Sequence, residues 1–336
     1  MSRYSNQVVA LRTAIREPSI EEFIRYATLA ANSHNTQPWR FEIVEQGVCI
    51  RPDFSRRTPS VDPDDHHLWI SLGCAAENFM IAARAHGYVC SKQYDSAMDS
   101  AIRIDLEPGP IQADDLYQAI PLRQSTRSHY DGRAVSKDNL TRLQLTLTMD
   151  GVSARFLTEP SQLEVLARFV ARANDVQFDD AVFMQELKYW LRFNSREAEA
   201  HADGLFSGCT GNPSIPGWLG RGLFSLLLRK KAARKQYVEQ IQSSAGVVVF
   251  MADRADPAHW IQVGRSFQRF ALQATALGIR HAHINQPIEV PSLRPLFAHA
   301  LGLGDMRPDL VIRFGYAEPM PMSVRRPVED VLAVAE

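Results

Sequence analysis

The sequence predicts an α+β protein made of two related halves, and two observations lead to that prediction. A long helical pattern at residues 68–87 occurs again at residues 259–278, offset by 191 residues, with a matching Trp-Ile start and Gly end. In each half a predicted helix that begins at a serine is followed by a predicted strand. The strand contains Arg40-Phe41 in the first half and Arg155-Phe156 in the second. Two copies indicate a duplication that has diverged, since repeat arrays contain more units.

The first half carries a dense run of polar side chains, NSHNTQPW, at residues 32–39. It joins a predicted helix at residues 20–30, which Ser19-x-x-Glu22 opens as a capping box, to a predicted strand at residues 40–44. Side-chain amides donate and accept hydrogen bonds, which suits a heterocycle with N–H and C=O edges. The alternative is an ordinary capped turn that Trp39 anchors in the core.

The second half carries a different motif, Arg123-x-Ser125-x-Arg127. Residues at a spacing of two share one side of an extended segment, so two guanidiniums and a hydroxyl would face the same way. Arginine binds phosphate in a bidentate manner, and the motif therefore predicts a phosphate cradle. A solvated basic stretch is the alternative, and a surface position is the alternative for the later pair Arg325-Arg326.

A Pro/Gly-bearing stretch at residues 107–110 divides the chain into predicted halves of residues 1–112 and 113–336. The second half contains a long insertion at about residues 161–244, with predicted helices at 162–173 and 183–200, a Gly/Pro-rich loop at 204–222 and a basic amphipathic segment at 223–242. Insertions of this size usually cover or bind something. We expect a lid with a solvated basic face, in preference to a membrane-binding or acidic-partner surface.

The bulk properties are those of an ordinary globular protein. The 336 residues are 45% hydrophobic and 22% charged, with a formal net charge of -1, which gives no reason to expect a nucleic-acid or membrane partner. The N-terminus lacks a secretory apolar run, and the apolar run at residues 246–252 is too short to span a bilayer. Four scattered cysteines form no C-x-x-C pair, so reduced thiols in a cytoplasmic protein are expected.

The histidine pairs His66-His67 and His281-x-His283 are candidate metal ligands. No carboxylate or thiol is predicted beside them at ligand spacing, so solvated or hydrogen-bonded histidines are expected in place of a metal site. The chain has no P-loop, G-x-S-x-G or G-x-G-x-x-G in a strand-turn-helix context.

Taken together, these motifs resemble the FMN-dependent nitroreductases, and most closely their fused, Acg-like branch. The segment IPLRQSTRSHYDGRAV looks like the start of the family's chains. The segment NSHNTQPW looks like the loop that reaches FMN from a partner subunit. The segment PDLVIRFGYAEPMPMSVRRPVEDVL looks like the family's C-terminal strand and tail. Gln286-Pro287-Ile288-Glu289 resembles the Pro-Ile-Glu-Gly segment whose backbone approaches flavin N5, with Val290 in place of the glycine. The resemblance implies a nitroreductase-like fold: a central, mostly antiparallel sheet flanked by helices, with the fused halves packed as a pseudo-dimer.

The resemblance also implies one FMN per chain, held between the halves. The residues it assigns to FMN binding are Arg123, Ser125, Arg127, Asn32, Ser33, Asn35, Pro287, Ile288, Glu289, Arg325 and Arg326. The implied activity is NAD(P)H-dependent reduction of nitro or quinone-type compounds, by ping-pong hydride transfer through flavin N5. The flavin carries this chemistry, so no catalytic side chain is assigned. The alternative is a protein that sequesters FMN under its lid with little turnover.

Overall fold

Two four-stranded antiparallel sheets form the frame of the protein in a computed structural model that describes residues 2–95, 101–224 and 228–333. The first sheet holds β1 (Trp39–Val44), β2 (Gly47–Pro52), β3 (Tyr88–Asp95) and β4 (Ala101–Pro108). The second holds β5 (Val152–Leu157), β8 (Gly246–Ala252), β9 (Arg280–His283) and β10 (Arg307–Gly315), and a short parallel pair, β6 (Leu191–Arg192) with β7 (Leu205–Phe206), lies between them in the chain. The predicted antiparallel α+β class is confirmed, with the strands divided between two sheets.

Helices surround both sheets. They are α1 (Arg3–Leu11), α2 (Ile20–Thr28), α3 (His66–Ala85), α4 (Asp115–Ala119), α5 (Lys137–Gln144), α6 (Pro160–Asp179), α7 (Ala181–Trp190), α8 (Ser195–His201), α9 (Ser207–Thr210), α10 (Gly217–Gly222), α11 (Lys230–Gln242), α12 (Pro257–Ala276), α13 (Gln286–Glu289), α14 (Arg294–Ala300) and α15 (Val328–Val331). Short 3-10 turns occur at Ser33–Asn35, Phe54–Arg56 and Ile120–Leu122.

The two sheets have the same internal order. The first runs β1-β2-β4-β3 and the second β5-β8-β10-β9, so that in each the third and fourth strands exchange places. In each sheet the second and third strands are joined through a 20-residue helix, α3 in the first and α12 in the second. These helices are the two copies of the repeated pattern seen in the sequence.

The two repeated helices contact each other through matched glycines. A Cβ added to Gly73 would lie 2.1 Å from the Ile261 carbonyl oxygen, and one added to Gly264 would lie 2.0 Å from the Ile70 oxygen. No side chain fits in that space, so the backbones of α3 and α12 meet directly.

As predicted, a serine side chain starts the helix that precedes the first strand of each sheet, α2 in the first half and α5 in the second. Ser19 Oγ accepts from the Glu22 amide at 3.2 Å, and Ser136 Oγ accepts from the Asn139 amide at 3.2 Å. The reciprocal half of the predicted Ser19–Glu22 capping box is wrong. The Glu22 carboxylate accepts from Arg25 Nε at 2.8 Å instead, because a charged guanidinium is a stronger partner than a neutral amide.

Strand β8 explains the continuous apolar run at residues 246–252, since every residue of the strand is buried. Val248 and Phe250 pack into the main core with α3 and α12, while Val247 and Val249 on the other face pack against α6. Within the described ranges, no helix is long and apolar enough to cross a membrane.

The insertion is more divided than its sequence predicted. The single helix predicted at residues 183–200 is wrong: α7 ends at Trp190 and α8 begins at Ser195. Asn194 Oδ1 accepts from the Glu197 amide at 3.0 Å and so starts a new helix, while β6 takes the residues between. The linker predicted at residues 107–110 begins later than expected, since β4 continues through Pro108.

Candidate functional site

A cavity of about 260 Å³ lies between the two halves and under the insertion. Helix α3 and the polar loop of residues 32–39 form one wall, and α12, β9 and α13 contribute from the second half. Helices α6, α7 and α11 close the remaining side. The volume is just below the range of roughly 300–1,000 Å³ that is common for small-molecule pockets.

The wall from the first half combines predicted and unpredicted residues. Asn32 and Ser33 of the polar loop line the cavity, as the motif indicated. His67, Ser71 and Cys74 also line it, and sequence reasoning missed them. Their spacing of four and then three residues places them on one face of α3, a pattern that was visible in the sequence.

The arginine motif meets this wall from the second half. Arg127 lines the cavity, and its guanidinium forms no hydrogen bond or ion pair within the described part of the chain. Arg123, also predicted as a site residue, does not line the cavity; it is 5% exposed and donates to the Leu29 carbonyl at 2.9 Å. Its Nε and Nη1 are buried without a partner among the described residues. Arg127, a guanidinium on the cavity wall that no described residue pairs, indicates a site for an anion, because a buried charge is costly unless it is paired.

The second arginine on the wall, Arg313, has more hydrogen-bond partners. Arg313 is fully buried, yet it donates to the Ser128 carbonyl at 2.7 Å and lies 4.0 Å over the Tyr130 ring. Its partners are supplied by the fold, which makes it structural. The contrast identifies Arg127 as the guanidinium that is free to bind a ligand.

The positive field of the arginines also acts on nearby histidines. Burial, and then the charge of Arg127, lower the pKa of His34 to about 4. Burial, followed by Arg127 and Arg123, lowers the pKa of His283 to about 3. Burial also lowers the pKa of His67 well below its ordinary value. All three line the cavity and are neutral near pH 7, so the arginines supply its positive charge.

The polar loop has an unusual backbone. His34, Asn35 and Gln37 have φ values of 47°, 56° and 54°, a left-handed region that side-chain-bearing residues seldom adopt. The surrounding contacts hold this conformation: Asn32 Oδ1 accepts from the Gln37 amide at 2.9 Å, and Asn35 Nδ2 donates to the Gly204 carbonyl at 3.2 Å. Such strain in a loop at a cavity is typical of functional sites.

Several predicted site residues lie away from the cavity wall. Asn35 turns its amide toward the insertion and the Val324 carbonyl, and Arg325 donates to the Thr28 carbonyl at 2.8 Å, at the end of α2. Arg326 donates its backbone amide to Gln37 Oε1 at 2.8 Å. Ser125 bridges to β9 at His281. These residues position the loop, the tail and the arginine motif.

Only some residues of the segment 286–289, which resembles the flavin N5 contact, line the cavity. Gln286 and Glu289 line the cavity, while Pro287 and Ile288 are buried away from its wall. Glu289 Oε2 accepts from Gln177 Nε2 of α6 at 2.8 Å, which ties the insertion to α13. Gln286 Oε1 is buried without a hydrogen-bond partner in the described ranges, and so is available to a ligand donor.

An ion-pair clamp fastens the insertion to the first half. Asp203 accepts from Arg192 at 2.6 Å and also binds Arg56 of the first half, and all three side chains are largely buried. Next to it, Gln37 Nε2 donates to the Ala202 carbonyl at 2.8 Å. The clamp therefore joins the lid to the loop that lines the cavity.

We expect Asp203→Ala to loosen the lid, because it leaves two guanidiniums without their carboxylate. Breaking a buried ion pair in this way costs roughly 3–5 kcal/mol. Hydrogen exchange should rise in residues 190–206, and the melting temperature should fall. The matched control is Asp179→Ala, which removes an exposed pair with Lys230 on the same insertion and should cost less than about 1 kcal/mol. Equal hydrogen-exchange protection of residues 190–206 in both variants would contradict the role of Asp203 in fastening the lid.

The histidine pair at the start of α3 corrects an expectation. His66 Nδ1 lies 2.7 Å from Asp62 Oδ1 and 2.6 Å from Asp64 Oδ1, so the prediction that no carboxylate stands beside this pair is wrong. Asp62 approaches because the turn before α3 folds back, bringing its carboxylate onto the Leu68 amide at 3.0 Å. Burial opposes protonation, but the two carboxylates raise the pKa of His66.

Asp62, His66 and His67 are close enough together to hold a metal ion. However, Arg307 binds Asp64 at 2.6 Å and Arg294 reaches it at 3.5 Å. These guanidiniums neutralise Asp64, and His66 lies between Asp64 and Asp62, so the arrangement is typical of a buried ion-pair network.

Comparisons with known proteins give the family context. No family model matches the chain. Two proteins of Mycobacterium tuberculosis are similar to nearly all of it. The one named "Putative NAD(P)H nitroreductase Rv3131" is 26% identical over 94% of this chain and 91% of its own length. The one named "Putative NAD(P)H nitroreductase acg" is 23% identical over 96% of this chain and 97% of its own length.

Solved structures match a smaller part. The FMN-dependent nitroreductase NfnB of Mycobacterium smegmatis, in complex with NADPH, is 14% identical and covers 66% of this chain and 98% of its own, with a TM-score of 0.43. A nitroreductase with bound FMN from Bacteroides fragilis is 14% identical and covers 67% and 100%, with a TM-score of 0.40. Along nearly the full chain the similarity is to these mycobacterial proteins, and the predicted resemblance to nitroreductases, including Acg, is confirmed.

Proposed function

We propose that the cavity binds FMN and that the protein reduces nitro or quinone-type compounds with NAD(P)H. The observation that carries this proposal is Arg127, a cation on the cavity wall that no described residue neutralises. Its chemistry fits a terminal phosphate, which FMN has. The relatives named as NAD(P)H nitroreductases support the reaction class.

The remaining wall also fits this cofactor. Phe178, Phe183 and Leu187 give an apolar surface for a flat ring, and Gln286 Oε1 and His34 Nδ1 are buried polar atoms without described partners. When bound, FMN supplies hydride transfer between NAD(P)H and the acceptor. The protein's own residues would hold the phosphate at Arg127 and Arg123, and the insertion would exclude water from the ring.

We further infer that residues 1–112 and 113–336 are halves of a pseudo-dimer with one FMN per chain. The identical strand orders and the paired glycines of α3 and α12 support this inference. Both halves also contribute to the cavity wall, since the polar loop comes from the first half and Arg127 from the second. Reductant and acceptor would then take turns at a single site, as in a ping-pong cycle.

One observation favours the second candidate, a protein that sequesters FMN. The insertion supplies an entire side of the cavity, and Asp203 fastens it to the first half. Such a lid would slow the entry of NAD(P)H and of an acceptor. The two candidates differ in turnover and share the cofactor.

The test begins with purified protein reconstituted with excess FMN or FAD. We expect one FMN per chain by mass spectrometry and visible absorption, and we expect anaerobic NAD(P)H to bleach the flavin band, with colour returning on addition of a quinone. Preference for FAD, or no flavin binding, would contradict the proposal. Bound FMN that NAD(P)H does not bleach would select the sequestering function.

A further inference from the structure

Glu289 is the carboxyl group on the cavity wall, and no other acidic side chain of the described chain lines it. It lies at the end of α13, where Gln177 of α6 donates to its Oε2 at 2.8 Å. This contact holds one oxygen, and the other makes no hydrogen bond with a described residue. The resemblance assigned only the backbone of this segment a role.

We propose that Glu289 is the proton donor of the cavity, giving its carboxyl proton to the oxygen of the acceptor during reduction. This inference rests on the proposed reductase function and adds a catalytic side chain to it.

The chemistry requires such a donor. A quinone becomes a hydroquinone by gaining one hydride equivalent and one proton, and a nitro group becomes a nitroso group and water by the same two additions. NAD(P)H supplies the hydride equivalent and becomes NAD(P)⁺. Glu289 would supply the proton, breaking its O–H bond as the acceptor oxygen forms one, and the carboxylate would regain a proton from water. A positioned acid contributes roughly 10²–10⁴-fold to such a step.

The surroundings favour Glu289 over the other ionisable groups on the wall. His34, His67 and His283 are neutral near pH 7, as described above, and burial raises the pKa of Cys74 and of Tyr237. Burial raises the pKa of Glu289 to about 7, and its hydrogen bond from Gln177 opposes that rise. It is therefore the wall residue that both holds and releases a proton near neutral pH.

Glu289 responds to several neighbours on other elements. The charged, titratable or polar groups that face it are Gln177 of α6, His66 of α3, Asp62 before α3, Arg294 of α14, Tyr237 of α11 and Gln286 of its own helix. Arg294 and protonated His66 favour the carboxylate, while Asp62 favours the acid. Donation requires the protonated form, so the rate of acceptor reduction should fall as pH rises through about 7.

The test compares wild type, Glu289→Gln and the control Glu186→Gln. Glu186 is also a half-buried carboxyl with a raised pKa, set by burial first, but it accepts from the Ser60 amide at 3.0 Å and does not line the cavity. Stopped-flow reduction of benzoquinone by the pre-reduced protein should be roughly 10²-fold slower in Glu289→Gln and independent of pH. Bleaching by NAD(P)H should be unchanged, because that hydride transfer consumes no proton. Glu186→Gln should behave as wild type.

A second measurement needs no turnover. In infrared difference spectra of wild type minus Glu289→Gln, the C=O band of a protonated carboxyl should be present at low pH and disappear with a midpoint near 7. A wild-type rate of quinone reduction in Glu289→Gln, or no titrating band, would overturn the proposal. If NAD(P)H bleaches no variant, the reductase function itself fails, while the infrared titration still reports on Glu289.

Discussion

Replacing Arg127 by alanine should release the cofactor without unfolding the protein. The Arg127 guanidinium makes no hydrogen bond or ion pair with any described residue. Its removal therefore takes no such contact away from the folded protein. A hydrogen bond to a charged group is worth roughly 1.5–3 kcal/mol, and FMN affinity should fall about 10- to 100-fold. Adding Arg123→Ala should extend the loss to roughly 10²–10⁴-fold. Flavin fluorescence titration measures both.

The stability of the flavin-free protein distinguishes the loss of a phosphate contact from a general destabilisation of the fold. Burial lowers the pKa of Arg127, which shows that its charge is held at a cost in the absence of an anion. The flavin-free Arg127→Ala protein should therefore be as stable as flavin-free wild type, or more so, in urea unfolding. Arg172→Ala, which removes an exposed arginine of α6, should leave both affinity and stability unchanged. Flavin loss that accompanies a destabilised flavin-free protein would count against a phosphate contact.

Replacing Gly73 by alanine should severely destabilise the protein. The new Cβ would lie 2.1 Å from the Ile261 carbonyl oxygen, and backbone atoms cannot move aside as a flexible side chain can. The two central helices would have to separate, which should cost about 3 kcal/mol or more of the free energy of unfolding. Total stabilities are typically only about 5–15 kcal/mol. Urea unfolding, followed by circular dichroism, measures the loss.

The same substitution should also affect the site. Ile70 and Cys74, on either side of Gly73, both line the cavity, so a displaced α3 moves its wall. Gly222→Ala is the matched control, because a Cβ at Gly222 meets nothing within 4 Å. Its effect should be within about 1 kcal/mol and is expected to be stabilising in a helix. Comparable losses in the two variants would show that the contact between α3 and α12 tolerates a methyl group.

The sequence alone was sufficient for the features that local patterns encode. Ser19 and Ser136 marked helix starts, and the repeated pattern indicated two matching long helices. Arg127, Asn32 and Ser33 were found because their spacing and chemistry suited a ligand, and the structure brings these three to one wall. Such signals need only a few neighbouring residues, since caps, spacing and side-chain chemistry are local properties.

Tertiary structure decided which of these side chains actually face the cavity. Asn35 and Arg325 resemble cofactor ligands in sequence, yet their donors are taken by distant carbonyls at Gly204 and Thr28. The walls from α6 and α11 and the clamp at Asp203 join residues more than a hundred positions apart in the chain. No local periodicity specifies such pairings, because they depend on how the insertion packs across both halves. For the same reason the sequence named Glu289 as part of a motif, while only the fold shows it as the acid of the cavity.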